Sequence, residues 1–147
     1  MTDTPFIYVT YIATTPAKVW AALTETELTR QYWGNENISD WKPGSPWEHR
    51  SAKEAGKVMI TGEVLESKPP NRLALTWVDP ALAHDRANHA RVVFEIEAVG
   101  EMVRLTVTHD RFRPGSQVRE KVSNGWPRVL ASLKSFLETG RPLDTWA

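Results

Sequence analysis

The longest helical pattern in the chain lies near its C-terminus. Between residues 115 and 140, apolar side chains recur at steps of three and four, which is typical of an amphipathic helix. The apolar set is Val118, Val122, Trp126, Val129, Leu130, Leu133, Phe136 and Leu137. Gly140 and Pro142 supply a stop signal. At about 1.5 Å per residue the helix would be roughly 35 Å long, so it requires a large apolar surface to lie on.

Pro127 interrupts this pattern, directly after Gly125 and Trp126. A proline inside a helix removes one backbone donor and clashes with the carbonyl four residues earlier. Two outcomes are consistent with the sequence. Either one helix kinks at Pro127, or a short helix ends near Ser123 and a longer one starts with Asn124 as its cap.

Much of the remaining chain alternates between apolar and other positions with the period of a β-strand. We predict strands at 6–13, around 47–51, and at 57–66, 73–78, 89–99 and 101–110. The last two form a hairpin across Gly100, and Pro69-Pro70-Asn71 forms a turn. Residues 79–88 are polar and rich in alanine, which favours a loop. In the first strand both alternating sets are apolar or aromatic, so the pattern does not choose its inward face.

Two short helices are predicted after the first strand. Thr15 followed by Pro16 is a typical helix start, because proline is well tolerated in a first turn. Thr24 with Glu27 resembles a capping box, which predicts a second short helix running to about Trp33. Gly34 would end that helix.

The order of elements predicts an α+β fold. Strands joined by turns form an antiparallel sheet of about seven strands, and its apolar face can be buried against the apolar stripe of the long helix. A chain of 147 residues has the size of one domain, so we expect residues 1–147 to form a single domain.

Charge and composition exclude several classes of protein. The 18 basic and 18 acidic residues balance, which argues against a dedicated nucleic-acid binder. Cysteine is absent, which excludes disulfides, thiolate zinc sites and a cysteine nucleophile. No apolar stretch is long enough to span a bilayer, and the first five residues lack the features of a signal peptide. We therefore expect a cytoplasmic protein without membrane insertion.

Several short motifs, in this order, carry a resemblance to a known family. They are IATTPAKVWAALT at 12–24, YWG at 32–34, Gly44 with Trp47, TGEVLE at 61–66, Pro69-Pro70 with Arg72-Leu73, Thr76-Trp77, LTVTHDRF at 105–112, and Gly125-Trp126 with Leu130, Leu133 and Leu137-Glu138. Together they span almost the whole chain. The sequence resembles the START-like, helix-grip (SRPBCC) superfamily, and within it the bacterial family named after the C-terminal domain of the activator of heat-shock protein 90 ATPase.

The resemblance implies a curved antiparallel sheet gripping the C-terminal helix, with the two short helices closing one end. It also implies a cavity between sheet and helix that holds a small apolar molecule. From this resemblance we expect the protein to bind a small hydrophobic ligand, without a cofactor. Fold alone does not determine function, so other functions stay open.

The candidate ligand-binding residues are mainly large and apolar, as ligand sites usually are. They are Trp33, Trp47, Trp77, Phe94, His109, Trp126, Leu130 and Leu133. Any one of these tryptophans could equally serve as core packing, since large rings fill the space inside a curved sheet. By alternation His109 shares a face with Leu105 and Val107, so it points inward. There it either binds a polar group of the ligand or is satisfied by nearby backbone.

Metal and catalytic chemistry find little support. Asp110 should point away from His109, so the two do not form an obvious dyad. His84 and His89 match no common metal motif. Glu95 and Glu97 share a strand face with Arg91, which favours a solvated outer face. In the reversed register they would form an inward pair able to do acid–base work.

Two other functions remain open. The family name suggests a co-chaperone-like domain that acts on a chaperone through its surface, although the additional N-terminal domain of the eukaryotic activators has no counterpart in this sequence. Cyclases and aromatases share the fold, and an inward histidine could move protons. The sequence supplies no definite catalytic set for that third function.

Overall fold

The computed structural model describes residues 4–144, and within them seven strands form one antiparallel sheet. The strands are β1 (Phe6–Ile12), β2 (Asn35–Ile38), β3 (Pro46–Ser51), β4 (Val58–Lys68), β5 (Arg72–Trp77), β6 (Ala90–Val99) and β7 (Met102–Asp110). Their order across the sheet is β1-β7-β6-β5-β4-β3-β2. The helices are α1 (Pro16–Thr24), α2 (Thr26–Trp33) and α3 (Val118–Thr139), with single 3₁₀ turns at Pro80–Leu82 and Arg86–Asn88. This confirms the predicted α+β helix-grip fold.

The sheet curls into a half-barrel around α3. Its inner face and the helix bury one hydrophobic core, to which α1, β6, β7 and the second half of α3 each contribute three residues. In β1 the pairing with β7 sets Tyr8 opposite Val107 and Ile12 opposite Val103. Phe6, Tyr8 and Ile12 therefore belong to the inner face, while Ile7 is 60% exposed on the outer one. The sequence pattern had left this choice open.

The long helix continues through Pro127 without a break. The alternative of two helices split at Asn124 is therefore wrong. Trp126 precedes the proline and Val129 follows it, and both are buried in the same core. This packing on both sides holds the helix together where one backbone hydrogen bond is missing. Gly140 ends the helix, as predicted. It adopts a left-handed conformation, and its N–H donates to the carbonyl of Phe136 at 2.8 Å.

The capping box predicted at Thr24 is not formed. Thr24 is the last residue of α1, and its hydroxyl donates to the carbonyl of Trp20 at 2.8 Å. Glu25 takes the N-cap position of α2 without a side-chain hydrogen bond. The start of α1 is as predicted, since the side chain of Thr15 accepts a hydrogen bond from the N–H of Lys18.

Gly62 marks a close approach between a side chain and the sheet. It lies opposite Trp47 in the pairing of β3 with β4. The indole of Trp47 donates from Nε1 to the carbonyl of Thr76 at 2.7 Å, passing over this glycine. A Cβ at position 62 would lie 2.1 Å from that carbonyl oxygen and 2.6 Å from the indole nitrogen. The absence of a side chain at Gly62 is thus what allows Trp47 to pack flat against the sheet.

No helix within residues 4–144 has the length and apolar character that a bilayer span requires.

Candidate functional site

A cavity of about 440 Å³ lies between the first half of α3 and strands β3, β4 and β5. The end of α2 and the segments around residues 78–90 and 112–118 complete its walls. The lining residues are Trp33, Asn35, His49, Met59, Ile60, Trp77, Val78, Asp79, Leu82, Asn88, Ala90, Phe112, Arg113, Ser116, Val118, Lys121, Val122, Gly125, Trp126 and Val129. Its deep part is apolar and aromatic, and its charged residues are exposed.

Three of the eight predicted residues line this cavity, and all three are tryptophans. Trp126 is central, with its ring centroid 5.4 Å from that of Trp33 and 5.6 Å from that of Trp77. The rings are tilted by 59° and 53° to one another. They therefore form a curved aromatic wall whose faces and edges can pack against a flat apolar molecule.

The other five predicted residues lie behind the wall, in the packed core. Trp47 is 1% exposed and packs on Trp77 at a centroid distance of 5.6 Å. Phe94 meets Trp126 edge to face at 5.7 Å. Leu130 and Leu133 are buried against the sheet further along α3. None of these four residues is among those that line the cavity, and all four belong to the buried core.

His109, the fifth, faces inward as predicted but is fully buried beneath the cavity. Its Nδ1 accepts a hydrogen bond from Nε1 of Trp126 at 3.1 Å, so its partner is a side chain and not the backbone. Phe112 stacks on the imidazole at 4.9 Å and separates it from the cavity. Burial lowers the pKa of His109 to about 3, which keeps the ring neutral. The histidine thus orients the central tryptophan of the wall.

Asp110 points to the outer face, as predicted. Its carboxylate forms a bidentate pair with Arg91, with an Nε–Oδ1 distance of 2.9 Å. Glu97 is exposed and bonds to Arg104, also on the outer face. The reversed register, with an inward carboxylate pair, is therefore wrong. His109 and Asp110 do not form a catalytic dyad.

His49 is the polar residue of the deep wall. It lies 5% exposed on β3, with its ring 4.6 Å from that of Trp33. Its Nδ1 is 2.6 Å from Oδ1 of Asn37 on the neighbouring strand β2. Burial lowers the pKa of His49 to about 4, so the imidazole is neutral at pH 7.

The strand pattern did not predict that Phe112 lines the cavity, because Phe112 follows the last strand. Arg111 adopts a left-handed backbone conformation with φ of 59°, which turns the chain so that Phe112 points inward. The aromatic residue is completely buried. A phenylalanine two residues after a strand whose last inward residue is His109 was the available signal, but the left-handed turn at Arg111 is not predictable from residue type.

The mouth of the cavity is polar. Arg113 donates to Oδ1 of Asn88 at 2.6 Å and pairs with Asp85 at 3.3 Å, which joins the segment before α3 to the loop before β6. Lys121, on the first turn of α3, also lines the cavity. Residues 4–144 contain no group of three or more histidine, aspartate or glutamate side chains placed to hold a metal ion. His89, one of the two loop histidines, is bonded through Nε2 to the carbonyl of Ala83 at 2.8 Å.

Comparison with known proteins gives a family and a set of shared folds. Residues 13–138 match the family described as Activator of Hsp90 ATPase homolog 1-like protein. None of the curated proteins matches the chain. Among solved structures, the Aha1 dimer from Colwellia psychrerythraea is 19% identical with a TM-score of 0.78, covering 94% of this chain and 98% of that one.

Two further structures share the fold. An Hsp90 activator from Plasmodium falciparum is 21% identical with a TM-score of 0.75, covering 92% of this chain and 96% of that one. CalU16 from Micromonospora echinospora is 21% identical with a TM-score of 0.72, covering 92% of this chain and 77% of that one. At these identities the likeness is one of fold.

Proposed function

The chain belongs to the family of Activator of Hsp90 ATPase homolog 1-like proteins, and we propose that it binds a small hydrophobic molecule in its cavity. The proposal rests on the cavity because fold alone does not settle function. The observation that supports this most directly is the wall formed by Trp33, Trp77 and Trp126 around a space of about 440 Å³. Small-molecule sites typically have volumes of about 300–1,000 Å³ and mostly apolar linings with a few polar groups.

Binding would be driven by removal of apolar surface from water, at about 25 cal/mol per Å². The three indole rings offer large faces that lose little side-chain entropy, because core contacts already hold them in place. Polar residues at the mouth leave the entrance hydrated. The enclosed end therefore selects for apolar shape, while the entrance accepts a polar substituent.

Gly125 allows a direct test of the cavity. It lies on the face of α3 that lines the cavity, and a Cβ there would meet no atom within 4 Å. Gly125→Leu should therefore fill the space without disturbing the core. Asn124→Leu adds the same side chain at the neighbouring exposed position and is the matched control.

The experiment is native mass spectrometry of each protein purified from its own host, followed by organic extraction. We expect one recurring small apolar molecule with the wild type and with Asn124→Leu, and none with Gly125→Leu. An empty wild-type protein, or equal occupancy in Gly125→Leu, would contradict binding in this cavity.

A second candidate is action on a chaperone of the Hsp90 class. It is favoured by the family description and by the Plasmodium falciparum structure, which is described as an Hsp90 activator. The outer face of β1 carries Ile7, Val9 and Tyr11, which are 60%, 46% and 41% exposed and could contact a protein. The test is the ATP hydrolysis rate of the host's Hsp90 with and without this protein. A rate that does not change would count against this second candidate.

A further inference from the structure

The orientation of one buried amide determines which nitrogen of His49 carries the proton. Nδ2 of Asn37 donates to the carbonyl of Leu23 at 3.3 Å. A carbonyl can only accept a hydrogen bond, so the amino group of this side chain must face Leu23. Its oxygen Oδ1 therefore faces Nδ1 of His49 at 2.6 Å. Because that oxygen can only accept, Nδ1 is the protonated nitrogen.

The backbone around Asn37 fixes this arrangement further. The N–H of Asn37 donates to the hydroxyl of Thr29 at 3.1 Å, and that hydroxyl donates to the carbonyl of Thr26 at 3.1 Å. The hydroxyl of Thr26 in turn donates to the carbonyl of Asn37 at 3.0 Å. These contacts attach β2 to α2. The backbone of Asn37 is thus held in place, and a flip of its side-chain amide would break the bond to Leu23.

Nε2 of His49 is consequently a lone-pair acceptor. The ring is neutral at pH 7, since burial lowers its pKa to about 4, and its single proton is on Nδ1. Within residues 4–144 no side chain or backbone group is bonded to Nε2, and the ring lines the cavity. Its neighbours are the rings of Trp33, Trp47 and Trp77, at centroid distances of 4.6, 6.5 and 6.2 Å.

An acceptor placed in an aromatic wall favours a particular ligand chemistry. Resting on the proposed binding function, we propose that the ligand is an aromatic molecule with a hydroxyl group, and that this hydroxyl donates a hydrogen bond to Nε2 of His49. His49 is then a specificity-determining residue, and Asn37 is the residue that positions it. An ether, carbonyl or carboxylate at the same point would set one acceptor against another and leave Nε2 unsatisfied.

A matched pair of probes tests the preference. The dissociation constants of 2-naphthol and 2-methoxynaphthalene are measured by equilibrium dialysis at pH 7 with the whole protein. The added methyl group makes the methoxy compound more hydrophobic, so apolar burial alone would favour it. With the hydrogen bond, we expect 2-naphthol to bind the wild type about tenfold more tightly or better. In His49→Phe this preference should disappear or reverse.

The tautomer can be measured without ligand or mutation. Two-dimensional NMR that correlates the ring nitrogens with the ring carbon-bound protons distinguishes a protonated from a bare imidazole nitrogen. We expect protonated Nδ1 and bare Nε2 for His49 in the wild type. This measurement remains valid if His49→Phe does not fold.

Each outcome has a definite meaning. A protonated Nε2 overturns the proposed ligand class, whatever the probes do. Equal or weaker binding of 2-naphthol by the wild type also overturns it, while binding of both probes leaves the cavity's binding function standing. Binding of neither probe would overturn the proposed ligand class, whereas the occupancy of the wild type and of Gly125→Leu decides whether the cavity binds a small hydrophobic molecule at all.

Discussion

At the scale of single residues, the two inward histidines are the unusual feature of this core. Each has one ring nitrogen bonded to a specific partner, Asn37 for His49 and Trp126 for His109. Within the described part of the chain, Nε2 of His109 is buried and has no hydrogen-bond partner. Both rings have a lowered pKa because they are removed from water. The folded protein therefore excludes two protons that the unfolded chain binds below neutral pH.

This exclusion predicts a loss of stability on mild acidification. Stability rises with pH wherever the unfolded state binds more protons. Above the ordinary histidine pKa of about 6.5 both states are neutral. As pH falls below it, the unfolded chain takes up protons, and the loss continues until the folded pKa values of about 4 and 3 are reached. Between pH 7.5 and 5.5 each histidine should lower the free energy of unfolding by about 1.4 kcal/mol.

Urea unfolding at these two pH values measures the effect. The carboxyls whose pKa is lowered, such as Glu138 beside Lys134, titrate below this window. His49→Phe should remove about half of the difference, whereas His84→Ala, at an exposed loop position, should retain it. A difference that survives His49→Phe in full would show that the imidazole is not excluded from protonation as described.

At the scale of elements, the pairing of β3, β4 and β5 depends on Gly62. The glycine leaves the space in which the indole of Trp47 reaches the carbonyl of Thr76. The atoms that a new Cβ would meet include the backbone of β5, which cannot move without breaking its own ladder. The constraint thus lies in the sheet and not in a flexible side chain.

Gly62→Ala should therefore lower the free energy of unfolding by about 3 kcal/mol or more, through overpacking and loss of the indole hydrogen bond. Gly125→Ala is the matched control. Its added methyl group meets no atom within 4 Å, and alanine favours a helix over glycine by about 1 kcal/mol, so this variant should be more stable than the wild type. Chemical unfolding of both variants measures the difference. Equal effects would contradict the steric role of Gly62.

Sequence patterns predicted the elements better than their contacts. Alternation placed His109 on the inner face of β7, because side chains in a strand strictly alternate. It could not identify Trp126 as its partner, since that contact depends on how α3 is rotated above the sheet. The first strand was ambiguous because Ile7 and Val9 are as apolar as the inner residues, and the pairing with β7 decides its face.

The cavity was harder to predict for a related reason. Trp126, Leu130 and Leu133 lie on one stripe of α3, and periodicity treats them alike. The helix contacts the sheet closely at its second half and leaves a space at its first half. Leu130 and Leu133 therefore fill the core, whereas Val122 and Gly125 line the cavity. That division depends on how α3 is placed against the sheet, which no local pattern contains.

At the scale of the whole molecule, the two halves of α3 have separate roles. The second half is fixed by Ser132, which is fully buried. Its hydroxyl donates to the carbonyl of Tyr32 at 2.7 Å and accepts from the N–H of Leu143 at 3.0 Å. One side chain thus joins α2, α3 and the segment after α3. The first half spans the cavity and has fewer buried residues.

This division predicts that stability and ligand binding can be lost separately. Ser132→Ala leaves a buried carbonyl and a backbone N–H without their partner, so the free energy of unfolding should fall by about 1–3 kcal/mol. Ser132 is not among the residues that line the cavity, so the affinity for 2-naphthol should be unchanged at a temperature where the variant is folded. Ser135→Ala, whose hydroxyl bonds to Arg141 on the exposed side, is the control and should have a smaller effect.

Gly125→Leu should show the converse, with full stability and no binding, because it fills the cavity without removing a core contact. Urea unfolding and equilibrium dialysis on the same preparations measure both quantities. A parallel loss of affinity and stability in Ser132→Ala would show that the two halves of α3 act as one unit, so that the cavity depends on the anchoring of the whole helix. Independent losses would locate binding in the first half of α3 and the structural support of the fold in the second.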